Sequence, residues 1–168
     1  MIDLQTIIPR LVNDGIEFAI IGGVAATTHG SSYITDDLDI CYARNGANLE
    51  RLATTLAPLH PRLRGAPEDV PFLWDAETLR RCLNFTLHTD LGNLDLLGEV
   101  DGLGAFESVR ALSVLTPIFG VECAILSLDG LIAAKKAAGR PKDKLVLPEL
   151  EALREADQDC GPPVTSTT

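Results

Sequence analysis

Leu4, Ile7, Ile8, Leu11 and Val12 recur at the i, i+3, i+4, i+7, i+8 spacing of an amphipathic helix, and Asn13-Asp14-Gly15 ends the pattern. Ile16 to Ile21 reads as a buried strand. Gly22-Gly23 then opens a short Ala/Thr-rich helix that closes at His29-Gly30, and Leu38 to Tyr42 forms a second strand. Leu49, Leu52, Ala53 and Leu56 return to helical spacing. That helix stops near Pro58 and Pro61, because proline lacks an amide hydrogen and clashes with the turn before it.

Residues 61–76 hold three prolines and a glycine and read as a long irregular connection, a kind of segment that often carries function. Asn84–Thr89 and Leu94–Leu97 are expected strands joined by a hairpin-like turn, Asp90-Leu91-Gly92-Asn93. Phe106–Leu112 is a weaker helical pattern, and Val114–Thr116 and Val121–Ile125 read as short edge strands around Pro117 and Gly120. Two helices follow, Leu128–Ala138 and Lys142–Ala156. The order predicts a mixed sheet with helices packed on it, an α/β or α+β class. One domain is expected over 1–157, its part from about 127 helical, with 158–168 a disordered tail.

Composition narrows this picture. The chain has 168 residues, 46% hydrophobic and 23% charged, enough apolar material for a buried core. Its apolar runs fall far short of a membrane span, and the N-terminus lacks the basic, apolar and small-residue layout of a signal peptide. A cytoplasmic protein with no membrane role is expected. Cys41, Cys82, Cys123 and Cys160 are scattered without a CxxC pair, which excludes a zinc knuckle or a disulfide framework. The net charge of −10 opposes general nucleic-acid affinity, although residues 133–144 form a local basic stretch.

The candidate chemistry is concentrated between Gly22 and Ile40. Asp37 and Asp39 lie two apart on a strand, so both side chains leave the same face, with backbones roughly 7 Å apart. They can share one divalent ion, or two ions about 3.5–4 Å apart, as metal-assisted phosphoryl chemistry requires. Asp95, embedded in Leu94-Asp95-Leu96-Leu97, is a third charge in an apolar strand, and carboxylates are seldom buried without a partner or a metal. Gly22-Gly23 at a helix N-terminus offers backbone amides and room for a phosphate to approach. Lys135 falls on the apolar stripe of its helix, where it either turns inward toward phosphates or lays its stem on the core and snorkels to water. Arg140 precedes Pro141 at a helix junction and either caps the helix or contacts a ligand; Asp143 is a weaker additional acid. His29 reads as a helix terminator, His60 and His88 have no partner pattern, and Trp74 reads as core.

In order, the chain contains Gly22-Gly23, Ala25, His29-Gly30, Thr35, Asp37, Asp39, then Gly92-Asn93-Leu94-Asp95-Leu96-Leu97, then Lys135 and Gly139-Arg140-Pro141-Lys142-Asp143. This ordered set, spanning about 16–150, resembles the nucleotidyltransferase fold of the DNA polymerase β superfamily, and within it the small prokaryotic AbiEii/MenT-like branch. The resemblance implies that Asp37 and Asp39 hold magnesium (or manganese), and that Asp95, a further metal-site acid, helps activate an attacking hydroxyl. It also implies that Gly22, Gly23, Thr35, Lys135 and Arg140 hold a nucleoside triphosphate. The implied reaction is transfer of a nucleoside monophosphate to a hydroxyl of RNA such as tRNA, of a protein or of a small molecule, as part of a toxin–antitoxin or defence system with an antitoxin-like partner. Two positions depart from the branch. Tyr33 replaces a usual arginine and Asp36 a common lysine, both removing positive charge beside the triphosphate. A catalytically degenerate binding module of the same fold is the alternative, and a metal-dependent phosphohydrolase on the same carboxylates a further one. No GxxxxGK[ST] or GxGxxG occurs, so P-loop and Rossmann sites are excluded.

Overall fold

Asp3 starts the first helix by accepting from the Thr6 amide at 3.1 Å, and Ile7, Ile8 and Leu11 then bury one face of α1 (Leu4–Asn13) completely. The computed structural model describes residues 1–160. After α1 come β1 (Phe18–Ile21), α2 (Gly22–Thr28), β2 (Asp37–Tyr42) and α3 (Gly46–Leu56). A single 3-10 turn, Ala57–Leu59, leads to β3 (Arg62–Leu63), α4 (Ala76–Arg81), β4 (Asn84–Thr89) and β5 (Gly92–Leu97). A two-stranded ribbon, β6 (Glu99–Val100) with β7 (Gly104–Ala105), precedes α5 (Phe106–Ala111), β8 (Ser113–Ile118) and β9 (Val121–Leu126). Helices α6 (Leu128–Ala138) and α7 (Pro141–Asp159) follow.

Seven strands form one mixed sheet in the order β3-β4-β5-β2-β1-β9-β8. The pairs β2/β5 and β1/β9 are parallel and the other neighbours antiparallel. In β2, β4 and β5 the side chains alternate. Leu38, Ile40, Leu87, Leu94 and Leu96 are fully buried, while Asp37, Asp39, Thr86, His88 and Asp95 take the opposite face. Helix α3 packs with α1 and α4; α6 packs on α2 and α7. Trp74 belongs to the core layer, edge-on to Phe85 with ring centroids 6.1 Å apart and its indole N–H donating to the Ala53 carbonyl.

The expected α/β architecture is present, with three corrections. β9 is an interior strand between β1 and β8, because its parallel partner β1 is distant in sequence and unreadable from local pattern. The irregular 61–76 connection contains a strand, β3, and runs into an extra helix, α4. The last helix extends to Asp159, so residues 158 and 159 of the expected tail are helical, while 161–168 lie outside the described residues. Among the described residues no helix is long and apolar enough to cross a membrane.

Candidate active site

Strand register assembles the polar face row by row. The first row carries Thr86 on β4, Asp95 on β5 and Asp39 on β2, each paired directly with the next, and Ile21 on β1 follows. Arg64 extends that row at the other end: its amide donates to the Thr86 carbonyl at 2.9 Å, continuing the β3/β4 pairing one residue past β3. The neighbouring row reads Arg62, His88, Asn93, Asp37. Directly opposed residues share a sheet face, and residues two apart on a strand share it too. Asp37, Asp39 and Asp95 therefore converge on one face, beside the turn from β1 into α2.

Glycine at that turn is required by side-chain volume. Gly22 has φ +65°, and a Cβ there would overlap the Asp39 carboxylate. A Cβ on Gly23 would lie 2.6 Å from Cβ of Thr35. The space freed by the two glycines is taken by the chain's own Asp39 and Thr35. Thr35 in turn orders the start of β2, donating to the Asp37 carbonyl at 3.2 Å and accepting from the Asp37 amide at 3.4 Å.

The carboxylates differ in charge environment. Burial pushes the Asp39 carboxyl up to about 6, reinforced by the charges of Asp95 and Asp37 and opposed by Lys142 and Lys135. Burial also raises Asp95, although Arg64 pulls it back. Arg64 is the residue that sequence reasoning missed. Its guanidinium donates to Asp95 Oδ1 at 2.7 Å and to Asp37 Oδ2 at 3.2 Å, bridging two of the three acids. Only its position in the irregular connection could have flagged it.

A second wall comes from the α6/α7 junction. Asp143 is fully buried and accepts from Lys135 Nζ at 3.2 Å and Arg140 Nε at 2.7 Å. Burial alone would raise its pKa, but the hydrogen bonds and charges of Arg140 and Lys135 outweigh it and hold it low. Lys135 therefore points inward, Arg140 caps α7 together with Asp143, and Asp143 anchors cations rather than adding a free acid to the site. The capping reading of Arg140 and its position in the cleft coexist. Lys142, outside the expected site set, acts on Asp39 through space. His29 ends α2 as expected and bonds the Leu126 carbonyl at 2.8 Å. His60 pairs with Asp90, and His88 pairs with Asn93 in the row of Asp37.

Both walls line one cleft of about 510 Å³, in the range of small-molecule sites. Gly22, Gly23, Thr35, Asp37, Asp39, Asp95, Lys135, Arg140 and Lys142 all border it. So do Tyr33, Asp36, Glu99 and Asp101. The donor set suits a hard divalent cation in kind: carboxylate oxygens on one face, with Asp39 left poorly compensated. In arrangement it is not preset. Among the described residues no three His, Cys, Asp or Glu side chains are grouped so as to hold one metal ion, and Asp37 and Asp95 are drawn to Arg64 instead.

No protein-family model matches the chain, and no curated protein matches it in sequence. In three dimensions it is similar to a Thermotoga maritima protein provisionally assigned as a nucleotidyltransferase, with a TM-score of 0.57, 15% identity, and 95% of this chain and 96% of that one covered. It is also similar to ANT(2″)-Ia in complex with adenylyl-2″-tobramycin, with a TM-score of 0.52, 15% identity, and 93% and 95% covered. The chain has the nucleotidyltransferase fold.

Proposed function

We propose that this protein is a magnesium-dependent nucleotidyltransferase that moves a nucleoside monophosphate from a nucleoside triphosphate to a hydroxyl acceptor. The observation that carries this reading is the juxtaposition, in one cleft, of Asp37, Asp39 and Asp95 with Lys135, Arg140 and Lys142. Acids on one wall and cations on the other match the demands of phosphoryl chemistry, which relies on positioning and charge neutralisation. Lys135 and Arg140, held by Asp143, and the nearby Lys142 would bind the polyphosphate, while Gly22, Gly23 and Thr35 line the carboxylate side of the cleft. Asp37, Asp39 and Asp95 would hold Mg²⁺, or Mn²⁺, which when bound neutralises charge on the transferring phosphoryl group. Asp95 would take the proton of the acceptor hydroxyl. The hydroxyl oxygen bonds to the α-phosphorus, the bond from that phosphorus to the bridging oxygen breaks, and pyrophosphate leaves.

Within the superfamily, the ordered motifs favour the AbiEii/MenT-like branch and hence a cytoplasmic toxin–antitoxin or defence component with an antitoxin-like partner. The acceptor is an RNA such as tRNA, a protein or a small molecule. One observation favours a second reading, a catalytically degenerate binding module. Arg64 already compensates two of the acids, and Tyr33 and Asp36 border the cleft in place of cations. Incubation with each labelled triphosphate, Mg²⁺ and a panel of RNA, protein and small-molecule acceptors separates the two. Transfer that disappears in Asp37→Ala/Asp39→Ala supports the enzyme. Nucleotide binding without transfer across the panel overturns it in favour of the binding module.

A further inference from the structure

Arg64 is fixed to the sheet at its backbone, and its tip spans two carboxylates. Its amide is fixed to Thr86, whereas the following Gly65, at φ +81° with open space around it, carries the chain away from the sheet. The guanidinium reaches back over the polar face to Asp95 and Asp37, its side chain 29% exposed, with 21% and 35% for its partners. Asp39, in the same row as Asp95, makes no bond to Arg64 and is offset through space by Lys142 and Lys135. A single cation thus ties together two acids on strands β5 and β2 and leaves the third outside the bridge.

We infer that Arg64 is a displaceable counter-cation, which clamps Asp37 to Asp95 and must release them for a divalent ion to bind. This deepens the proposed nucleotidyltransferase reading and rests on it. A divalent ion brings twice the charge and contacts oxygen at about 2.1 Å, closer than either arginine bond, so it can displace the guanidinium at a cost in apparent affinity. The freed guanidinium is a planar fork matched to phosphate oxygens, and the acids it bridges line the cleft where a polyphosphate would lie. Metal and polyphosphate are then coupled. Metal alone has to break the clamp, and a phosphate offers Arg64 a new partner. By reciprocity each ligand tightens the other.

The test is Mn²⁺ titration by calorimetry and electron paramagnetic resonance, with and without inorganic triphosphate. It uses the wild type, Arg64→Ala, Arg64→Gln and Asp37→Asn/Asp39→Asn. Arg64→Gln guards against a folding defect in the alanine variant. The expected result is Mn²⁺ binding about tenfold tighter in both arginine variants than in wild type when no triphosphate is present, the scale of two partly exposed ion pairs. Added triphosphate should tighten Mn²⁺ binding in wild type more than in either variant. Equal or weaker Mn²⁺ binding in the arginine variants, with binding still lost in Asp37→Asn/Asp39→Asn, overturns the counter-cation role and leaves the nucleotidyltransferase reading standing. Mn²⁺ binding unchanged in Asp37→Asn/Asp39→Asn, or absent from all four proteins, overturns both.

Discussion

Asp39 is surrounded by influences that oppose its charge: burial first, then Asp95 one strand away and Asp37 two residues away. Its pKa lies at about 6 in the fold against an ordinary value of 3.8. Between those values the folded chain holds a proton that the unfolded chain releases, so the contribution of Asp39 to stability falls as pH rises from about 4 to about 6. Asp39→Asn has no proton to lose. In metal-free buffer with a chelator, the thermal midpoint of Asp39→Asn relative to wild type should climb in the variant's favour across that window and level off above it. A constant difference between pH 4 and 7 would contradict the burial of this carboxylate. At this scale the sequence was informative about identity and less so about cause. The alternation of Asp37 and Asp39 with Leu38 and Ile40 correctly places both acids on one face. Gly22 and Gly23 stood out as room for a phosphate, yet the structure fills that room with Asp39 and Thr35. Which atoms a glycine makes way for depends on strands that meet only in the fold.

Among the elements, the α6/α7 junction does most to shape the cationic wall. Gly139 ends α6 in the left-handed conformation at φ +61°, Pro141 opens α7, and the tight turn between them folds Asp143 beneath Lys135. Glycine and proline made this junction readable from sequence; the fully buried carboxylate beneath it was not, since nothing local distinguishes Asp143 from an exposed first-turn acid. Asp143→Ala removes one member of a buried charge cluster and leaves Lys135, only 17% exposed, without its partner. A loss of about 3 kcal/mol is expected, the low end for breaking a buried pair because Arg140 is 59% exposed and can rehydrate. Chemical denaturation measures it. Binding of inorganic triphosphate should weaken as well, because both cations lose their fixed positions. The same limit of local pattern explains β3 and β9. Arg62-Leu63 is too short to show a period, and the interior place of β9 follows from a parallel partner about a hundred residues away.

At the scale of the whole molecule, the cleft draws on segments from both ends of the chain, and a contact outside the cleft holds them together. Glu149 on α7 accepts from Ser31 Oγ at 2.9 Å, from the Ser32 amide at 2.7 Å and from Ser32 Oγ at 2.8 Å. Those serines belong to the connection that runs through Tyr33 and Thr35 into Asp37, so the last helix clasps the approach to the first two acids. The bond from the Ser32 amide, followed by those of the two hydroxyls, keeps the Glu149 carboxyl below its ordinary value. The clasp is therefore intact above the ordinary glutamate pKa and released as pH falls through the folded value. Glu149→Ala should leave the sheet intact but loosen residues 31–36, which limited proteolysis reads as faster cleavage there. Cleavage in the exposed 67–71 connection is the internal control and should be unchanged. Glu149→Gln, which keeps one acceptor oxygen, should fall between the two. If both connections open equally in Glu149→Ala, the glutamate supports the fold at large instead of holding this approach to the site. Because the clasp positions Asp37 without touching the cleft, its loss should also weaken Mn²⁺ binding while leaving the α6/α7 cations in place.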